Sequence, residues 1–324
     1  QLPVENLTAE DRAFLRRIAR RTWLFFETFV KPEDNWLPPD NYQEVPQEEI
    51  AHRTSPTNIG MMFLSSLTAW KLGYIGPTEL AVRMRNALDT LDRLEQYRGH
   101  LLNWYDTRQL RSLEPRYVST VDSGNLAVSL IVVKEACREA MQGQALRPEM
   151  WDGLCDVLHL LSDSIAASTI DSCAECHEIL RALEEGALKG RADAGYRELM
   201  LEQLHEQQYP QLEATIRQSI GKSEATPTES LREIHIWLER THHHLASMRR
   251  DVRAFFPWRS LIAQAPAGCE DWGRQIAMRL PAGRALQEAA AGYDEARAVL
   301  AGLAASANDS AARGWADEIG QALA

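Results

Sequence analysis

Residues 53–73 read RTSPTNIGMMFLSSLTAWKLG and carry signals for a helix with two defined ends. Ser55 is a residue type that caps helix N-termini, and Pro56 is favoured at the first helical position. Gly73 marks the end of the apolar run, as glycine commonly does after a helix. A helix is therefore predicted from residue 55 to residue 72.

Helical signals continue through most of the chain, and sustained alternation of period two is almost absent. Further helices are predicted over residues 8–30, 77–98 and 122–142. The first of them begins with an imperfect capping box of Thr8 and Asp11. Its apolar spacing predicts an inner stripe of Leu15, Ile18, Thr22, Phe25, Phe26 and Phe29. We therefore expect an all-α fold.

Two kinds of organisation follow one another along the chain. In residues 1–143, an outer helix, a polar and aromatic loop and an inner helix occur twice, which predicts helical hairpins around a common axis with their loops at one end. Residues 147–255 are rich in Glu, Leu and Gln and predict a helical bundle, and an Ala-rich helical tail follows. The predicted domains are 1–143 and 144–324.

Composition excludes several classes of partner. Lys and Arg number 35 against 46 Asp and Glu, a formal charge of -11 without a strong basic cluster, so no nucleic-acid partner is expected. The longest apolar stretches are shorter than the ~20 residues that cross a bilayer, so no membrane contact is expected. Five cysteines without the spacing of a disulfide framework favour a reducing, cytoplasmic compartment.

Two loops, at residues 34–60 and 99–126, combine aromatic side chains with short polar ones. A sugar ring has apolar C–H faces and an edge of hydroxyls, so it binds to flat aromatic rings surrounded by Asp, Asn, Glu and Arg groups. Composition alone leaves open an alternative in which these residues have only a structural role. The helix-packing interface would then be filled by Trp36, Trp104 and Tyr117, and helices would be capped by Ser55 and Asp122.

Three runs within these loops carry a resemblance to a known family: RTSPTNIG at 53–60, NWYDTR at 103–108 and PRYVSTVDSGNL at 115–126. In this order and spacing they resemble the middle region of cyclic β-1,2-glucan synthases. Those bacterial enzymes are very large membrane proteins with a glycosyltransferase region, a glucoamylase-like (α/α)6 transglycosylase region and a phosphorylase-like region. The resemblance covers about residues 10–140, and twelve-residue agreement in one run is highly specific.

The resemblance implies the first half of an (α/α)6 barrel with an appended or inserted helical bundle. It also implies β-1,2-glucan and the other domains of a parent polypeptide as partners, and a cytoplasmic position within an inner-membrane protein. The candidate substrate-binding residues lie in the two loops. They are Trp36, Asp40, Asn41, Arg53, Asn58, Asn103, Trp104, Tyr105, Asp106, Tyr117, Asp122, Ser123 and Asn125.

Two departures from the family pattern limit what is expected of the chain. Leu101 and Leu102 stand where an aromatic-containing pair is expected. The second half-barrel, with its Glu-rich catalytic motifs, is expected beyond Ala324, so the catalytic residues are unknown. Asp122 is the best acid candidate, but a helix N-terminus keeps it ionised and suits it to binding hydroxyls. The sequence does not place it within the ~5–9.5 Å of another carboxyl that glycoside hydrolysis requires.

A Cys-Ala-Glu-Cys-His run from Cys173 to His177 matches the attachment pattern of c-type haem. With His235 and the run His242–His244, the two thiols also offer a tetrahedral zinc set. Buried helical thiols and a solvated His run on a charged helix face, with Arg249 and Arg250 nearby, are the plainer interpretation. We expect no metal, no haem and no cofactor.

Two functional hypotheses follow. In the first, the segment contributes part of a glucan cleft to a transglycosylase. In the second, it is a non-catalytic helical scaffold or interdomain docking module. The exposure of three side chains distinguishes them: Trp36, Trp104 and Tyr105 line an open groove under the first hypothesis and are fully buried under the second.

Overall fold

The computed structural model describes residues 7–168, 174–193, 196–222, 229–280, 286–306 and 309–324. Helices make up 73% of these residues, and the strands are few and short. The expected all-α class is therefore confirmed. In the described ranges, no helix combines the length and apolar character that crossing a bilayer requires.

The first unit is built from four helices and the short strands between them. Its helices are α1 (Ala9–Phe29), α2 (Pro56–Leu72), α3 (Pro77–Leu91) and α4 (Thr120–Gln142). Its strands are β1 (Tyr42–Gln43), β2 (Glu49–Ile50), β3 (Arg53–Thr54), β4 (Gln96–Tyr97), β5 (His100–Leu101), β6 (Asn103–Asp106) and β7 (Ser112–Tyr117). The helices α2 and α4 pack against each other along their length.

Local capping signals explain where three of these helices begin and end. The Ser55 side chain accepts the Asn58 N–H at 3.2 Å, and Gly73 ends α2 in the left-handed conformation at φ 82°. Thr8 and Asp11 form the predicted capping box of α1. Ser119 caps α4 by accepting the backbone N–H of Asp122. The expected boundaries of these helices are confirmed to within about two residues.

The predicted third helix is too long, because α3 ends at Leu91 rather than near residue 98. The residues after it form the hairpin of β4 and β5 instead. Arg98 and Gly99 both have positive φ, 52° and 82°, as a tight two-residue hairpin turn requires. The turn glycine thus closes a hairpin and not a helix.

The predicted inner stripe of α1 is also wrong in part. Leu15 and Ile18 are 48% and 47% exposed, whereas Arg20, Trp23 and Glu27 are buried. The charged face is buried because other helices pack on it. Arg20 and Glu27 pair at 3.0 Å beneath those helices.

The rest of the chain forms a helical bundle followed by a C-terminal helical group. The bundle contains α5 (Pro148–Ala166), α6 (Ala174–Ala192), α7 (Arg197–Gln203), a π-helical turn (Leu204–Gln208), α8 (Tyr209–Lys222) and α9 (Glu229–Phe255). The C-terminal group contains α10 (Trp258–Ala263), α11 (Glu270–Arg279), α12 (Leu286–Ser306) and α13 (Ser310–Ala322).

The first unit, the bundle and the C-terminal group each have their own hydrophobic core. Trp23, Phe63 and Trp70 belong to the core of the first unit. The bundle core surrounds Trp151, which is fully buried. Gly190 of α6 lies so close to that indole that an added Cβ would stand 2.6 Å from it. The glycine is therefore required for α6 to approach α5.

Candidate functional site

One three-stranded sheet brings the two polar and aromatic loops together. Strand β6 lies between β3 and β7, with Arg53 opposite Asp106 and Asn103 opposite Tyr117. Strand β3 leads directly into α2, and β7 leads into α4. We call this sheet and the first turns of α2 and α4 the loop cluster. The expectation that the loops gather at one end of the helices is confirmed for these two.

Arg53 is the centre of the exposed side of the loop cluster. Its Nε and Nη2 donate to Asp40 Oδ2 at 3.1 and 2.9 Å, and Asn58 Nδ2 donates to Asp40 Oδ1 at 3.1 Å. The guanidinium lies over the Trp104 ring, 5.3 Å from its centroid. The Arg53 side chain is 54% exposed, so a planar, oriented donor faces solvent beside an indole.

Asp122 lies where the first turns of α2 and α4 meet. Partial burial raises its pKa, but hydrogen bonds from Ser119, Thr57 and Asn103 outweigh burial and hold the pKa below its ordinary value. Asn125 Nδ2 donates to Thr57 Oγ1 at 3.1 Å on the same side. The carboxylate is therefore ionised at neutral pH and joins the two helix N-termini.

Three buried polar atoms of the loop cluster have no hydrogen-bond partner among the described residues. They are Asn103 Oδ1, Ser123 Oγ and Thr54 Oγ1. A buried polar group without a hydrogen bond costs about 1–3 kcal/mol. The loop cluster thus carries polar atoms that its own fold does not satisfy, as do the cores of the first unit and of the bundle.

Tyr105 does not have the predicted role of a sugar platform, because its side chain is completely buried. Its hydroxyl accepts the Leu102 N–H at 2.7 Å and donates to the Glu95 carbonyl. Trp36 and Trp104 are half-buried, and Tyr117 is 46% exposed. The aromatic side chains therefore divide between the core and the surface of the loop cluster.

Other predicted residues have local structural partners. Asp106 accepts the backbone N–H groups of Arg108 and Gln109 at 2.9 and 2.7 Å, which closes the turn between β6 and β7. Asn41 is exposed next to Asp40. Leu101 and Leu102, where an aromatic pair was expected, are buried in the core.

Comparison with known proteins finds a similar sequence. No protein-family model matches the chain. Over 166 residues, 51% of the chain, it is 51% identical to the cyclic beta-(1,2)-glucan synthase NdvB of Rhizobium meliloti (strain 1021). The resemblance to cyclic β-glucan synthases is confirmed. The matched part is 6% of that protein, so the chain spans a small fraction of its relative's length.

One buried group that sequence reasoning missed connects the two loops. The Asp34 carboxylate contacts His52 Nδ1 at 2.7 Å and accepts from Thr107 Oγ1 at 2.6 Å. The Asn35 side-chain Nδ2 also donates hydrogen bonds to the carbonyls of Thr107 and Arg108. These residues are 18 to 73 positions apart, and no local pattern indicates that they meet.

The histidine run is not wholly solvated as predicted. His244 is buried, because α9 packs against α5 at this point, and its Nε2 lies 2.8 Å from the Met150 carbonyl. Burial lowers the pKa of His244 to about 4, so it is neutral at pH 7. Cys173, half of the proposed thiol pair, lies outside the described residues. Among those described, no three His, Cys, Asp or Glu side chains have the geometry of a metal site.

Proposed function

We propose that the chain contributes part of a β-1,2-glucan-binding cleft to a cyclic glucan synthase, within a glucoamylase-like (α/α)6 transglycosylase region. The observation that carries this proposal is the arrangement of Arg53, which pairs with Asp40 and lies over the Trp104 ring while more than half of its side chain stays exposed. Asn58 in turn holds Asp40 in place. An oriented guanidinium beside an indole matches the hydroxyl edge and C–H face of a glucose unit.

The same cluster supports binding without bond cleavage. Glycoside transfer uses one carboxyl that donates a proton and therefore has a raised pKa. The pKa of Asp122 is lowered, Asp40 is paired with Arg53, and Asp106 accepts turn amides. We therefore assign these carboxylates to ligand binding and local structure, and place the catalytic pair in other domains of the parent protein.

We further propose that the segment works on the cytoplasmic side of an inner-membrane parent. The cysteines support this assignment, since Cys137, Cys155 and Cys269 form no disulfide among the described residues. Free thiols of this kind suit a reducing compartment.

The alternative function, a helical scaffold, is favoured by a different observation. Tyr105 is fully buried, and polar side chains such as Asp34 and Thr107 bond to each other across the two loops. Under this alternative, Trp104 and Arg53 stabilise the sheet and bind no ligand.

Titration with linear β-1,2-glucan, followed by calorimetry or NMR, separates the two functions. We expect weak binding to the wild-type chain and no turnover. Trp104→Ala should lower affinity by about fivefold, on the order of 1 kcal/mol, because a ring that stacks on the sugar is lost. Arg53→Lys should also weaken binding, because lysine keeps the charge but lacks the planar donor set.

The matched control is Tyr196→Ala, which removes an exposed aromatic residue outside the loop cluster and should leave binding unchanged. Both binding variants must keep the wild-type circular dichroism spectrum. Equal affinity for all four proteins would assign Trp104 and Arg53 to the scaffold function. Turnover by the purified chain would contradict the assignment of the catalytic pair to other domains.

A further inference from the structure

Helix α9 of the bundle caps the N-terminus of α3 in the first unit. The N-cap residue of α3 is Gly76, which has no side chain to accept the free backbone N–H groups of the first turn. Asp251 supplies the acceptor from α9: its Oδ1 takes the Thr78 N–H at 3.1 Å. The cap therefore joins two parts of the chain that are 173 residues apart.

The Asp251 carboxyl group is unusually well shielded from solvent. Asp251 is 0% exposed, and its Oδ2 has no hydrogen-bond partner among the described residues. The carboxyl is pressed against Gly76 so closely that a Cβ there would stand 1.7 Å from Oδ2. Water cannot enter such a contact without α9 moving away from α3.

The charged groups around Asp251 do not neutralise it. On α3, the nearest acidic group is Glu79, a like charge. On α9, Arg250 is the neighbouring cation, but its guanidinium lies 3.5 Å from Glu79 and is half exposed. On α5, the side chain near this contact is the apolar Met150. An ionised Asp251 would thus be a buried charge whose hydrogen bonds come from Thr78, without a paired cation, which is costly.

We propose that Asp251 is a proton-sensitive lock between the bundle and the first unit: protonated, it holds α9 against α3, and ionised, it weakens that contact. The proposal is independent of glucan binding. It concerns whether the two parts of the chain move as one body.

The direction of the pH effect follows from the two states of the contact. Burial, with a smaller contribution from Glu79, raises the pKa of Asp251 to about 7 against the opposing hydrogen bond of Thr78. Once the contact opens, the carboxyl regains its ordinary pKa near 3.8. The closed state then keeps a proton that the open state releases, so closure weakens as pH rises from about 4 to 7 and is constant above.

Hydrogen exchange of the full chain tests the lock. After correction for intrinsic chemical exchange, the exchange rate of the amides in the first turn of α3 should rise about tenfold per pH unit between pH ~5 and pH ~7, because the open state becomes more populated. Asp251→Asn keeps the size and the acceptor of the protonated group but cannot ionise. It should match the wild type near pH ~4, and its exchange should become slower than that of the wild type by about tenfold per pH unit up to pH ~7.

Two further variants make the result decisive. Asp317→Asn removes an exposed acid on α13 and should keep the wild-type slope. His243→Gln removes the histidine of α9 whose Nε2 lies 4.0 Å from Glu79 Oε2, and it is a second control. A slope that survives Asp251→Asn, or that only His243→Gln abolishes, overturns the proposal. Exchange of Asp251→Asn that is faster than wild type at every pH also overturns it, because that result would indicate an ordinary N-cap.

Discussion

The bundle and the first unit differ in how completely they bury their large apolar side chains. In the bundle, aliphatic side chains surround Trp151 and Trp237, both of which are almost fully buried. The first unit also has a core, but it leaves large apolar residues in contact with water. These are Phe14, Leu15 and Ile18 on α1, and Val121, Val128 and Ile131 on α4. The bundle thus covers most of its apolar surface, with Leu188 and Leu199 as exposed exceptions, whereas the first unit combines a partial core with polar loops.

The largest effect is expected in the bundle core. Trp151→Ala should lower the free energy of unfolding by about 3–5 kcal/mol, because it leaves a cavity among side chains that already touch it on all sides. Urea denaturation measures this loss. Trp104→Ala in the loop cluster is the matched comparison and should cost less than half as much, since that ring is only partly buried. Equal losses would contradict the contrast between the two regions.

The next largest effect is expected at the charged contact between α1 of the first unit and α9 of the bundle, where Glu27 lies near Arg240 and His243. Glu27→Gln should cost about 3 kcal/mol at pH 7, because it leaves the buried Arg20 without its counterion. Burial opposes ionisation of Glu27, yet Arg20, His243 and Arg240 lower its pKa to about 2. A lowered pKa stabilises the folded state above the ordinary value of 4.5 and loses that effect as pH falls toward 2.

The difference in stability between wild type and Glu27→Gln should therefore be constant from pH 7 to about pH 5 and shrink below it. Urea melts across this range provide the measurement. A difference that does not depend on pH would mean that Glu27 is not ionised in the folded chain.

A smaller effect is expected inside the first unit. Tyr105→Phe removes the acceptor of the buried Leu102 N–H, which should cost about 1–2 kcal/mol. Faster hydrogen exchange at Leu102 and along β6 would locate the change. Tyr117→Phe, on the exposed strand of the same sheet, should be nearly neutral. Comparable losses in both variants would mean that the sheet, and not the buried hydroxyl, determines the effect.

The smallest effect is expected on the uncovered side of α4. Val128→Lys should change the free energy of unfolding by less than about 0.5 kcal/mol, because Val128 is 61% exposed. Thermal unfolding of the variant checks this. A large loss would show that the exposed stripe is covered in solution.

Local signals in the sequence predicted the helices better than the faces they bury. Ser55, Pro56 and Gly73 define α2 through hydrogen bonds and backbone angles within a few residues. The buried face of α1 depends on partners far away, such as Asp156, whose carboxylate binds Arg16 at 2.8 Å across 140 residues. Apolar spacing carries no information about such ion pairs, so Leu15 and Ile18 were assigned to the wrong environment.

The candidate site was predictable only in part for the same reason. The motifs at 53–60 and 103–108 indicated which loops matter, and the pairing of Arg53 with Asp106 brings them together. That pairing is a long-range backbone contact without a local signal. The burial of Tyr105 depends on the Glu95 carbonyl, which only the β4–β5 hairpin puts within reach.

The exposed apolar stripe of α4 has a consequence for how molecules of this chain behave toward one another. A formal charge of -11 keeps copies apart at low ionic strength, where the Debye length is about 30 Å at 0.01 M salt. At about 1 M salt the screening length falls to about 3 Å, and short-range attraction between valine and isoleucine side chains acts without opposition. The osmotic second virial coefficient should therefore fall from positive to negative as salt is added, and less steeply for Val128→Lys.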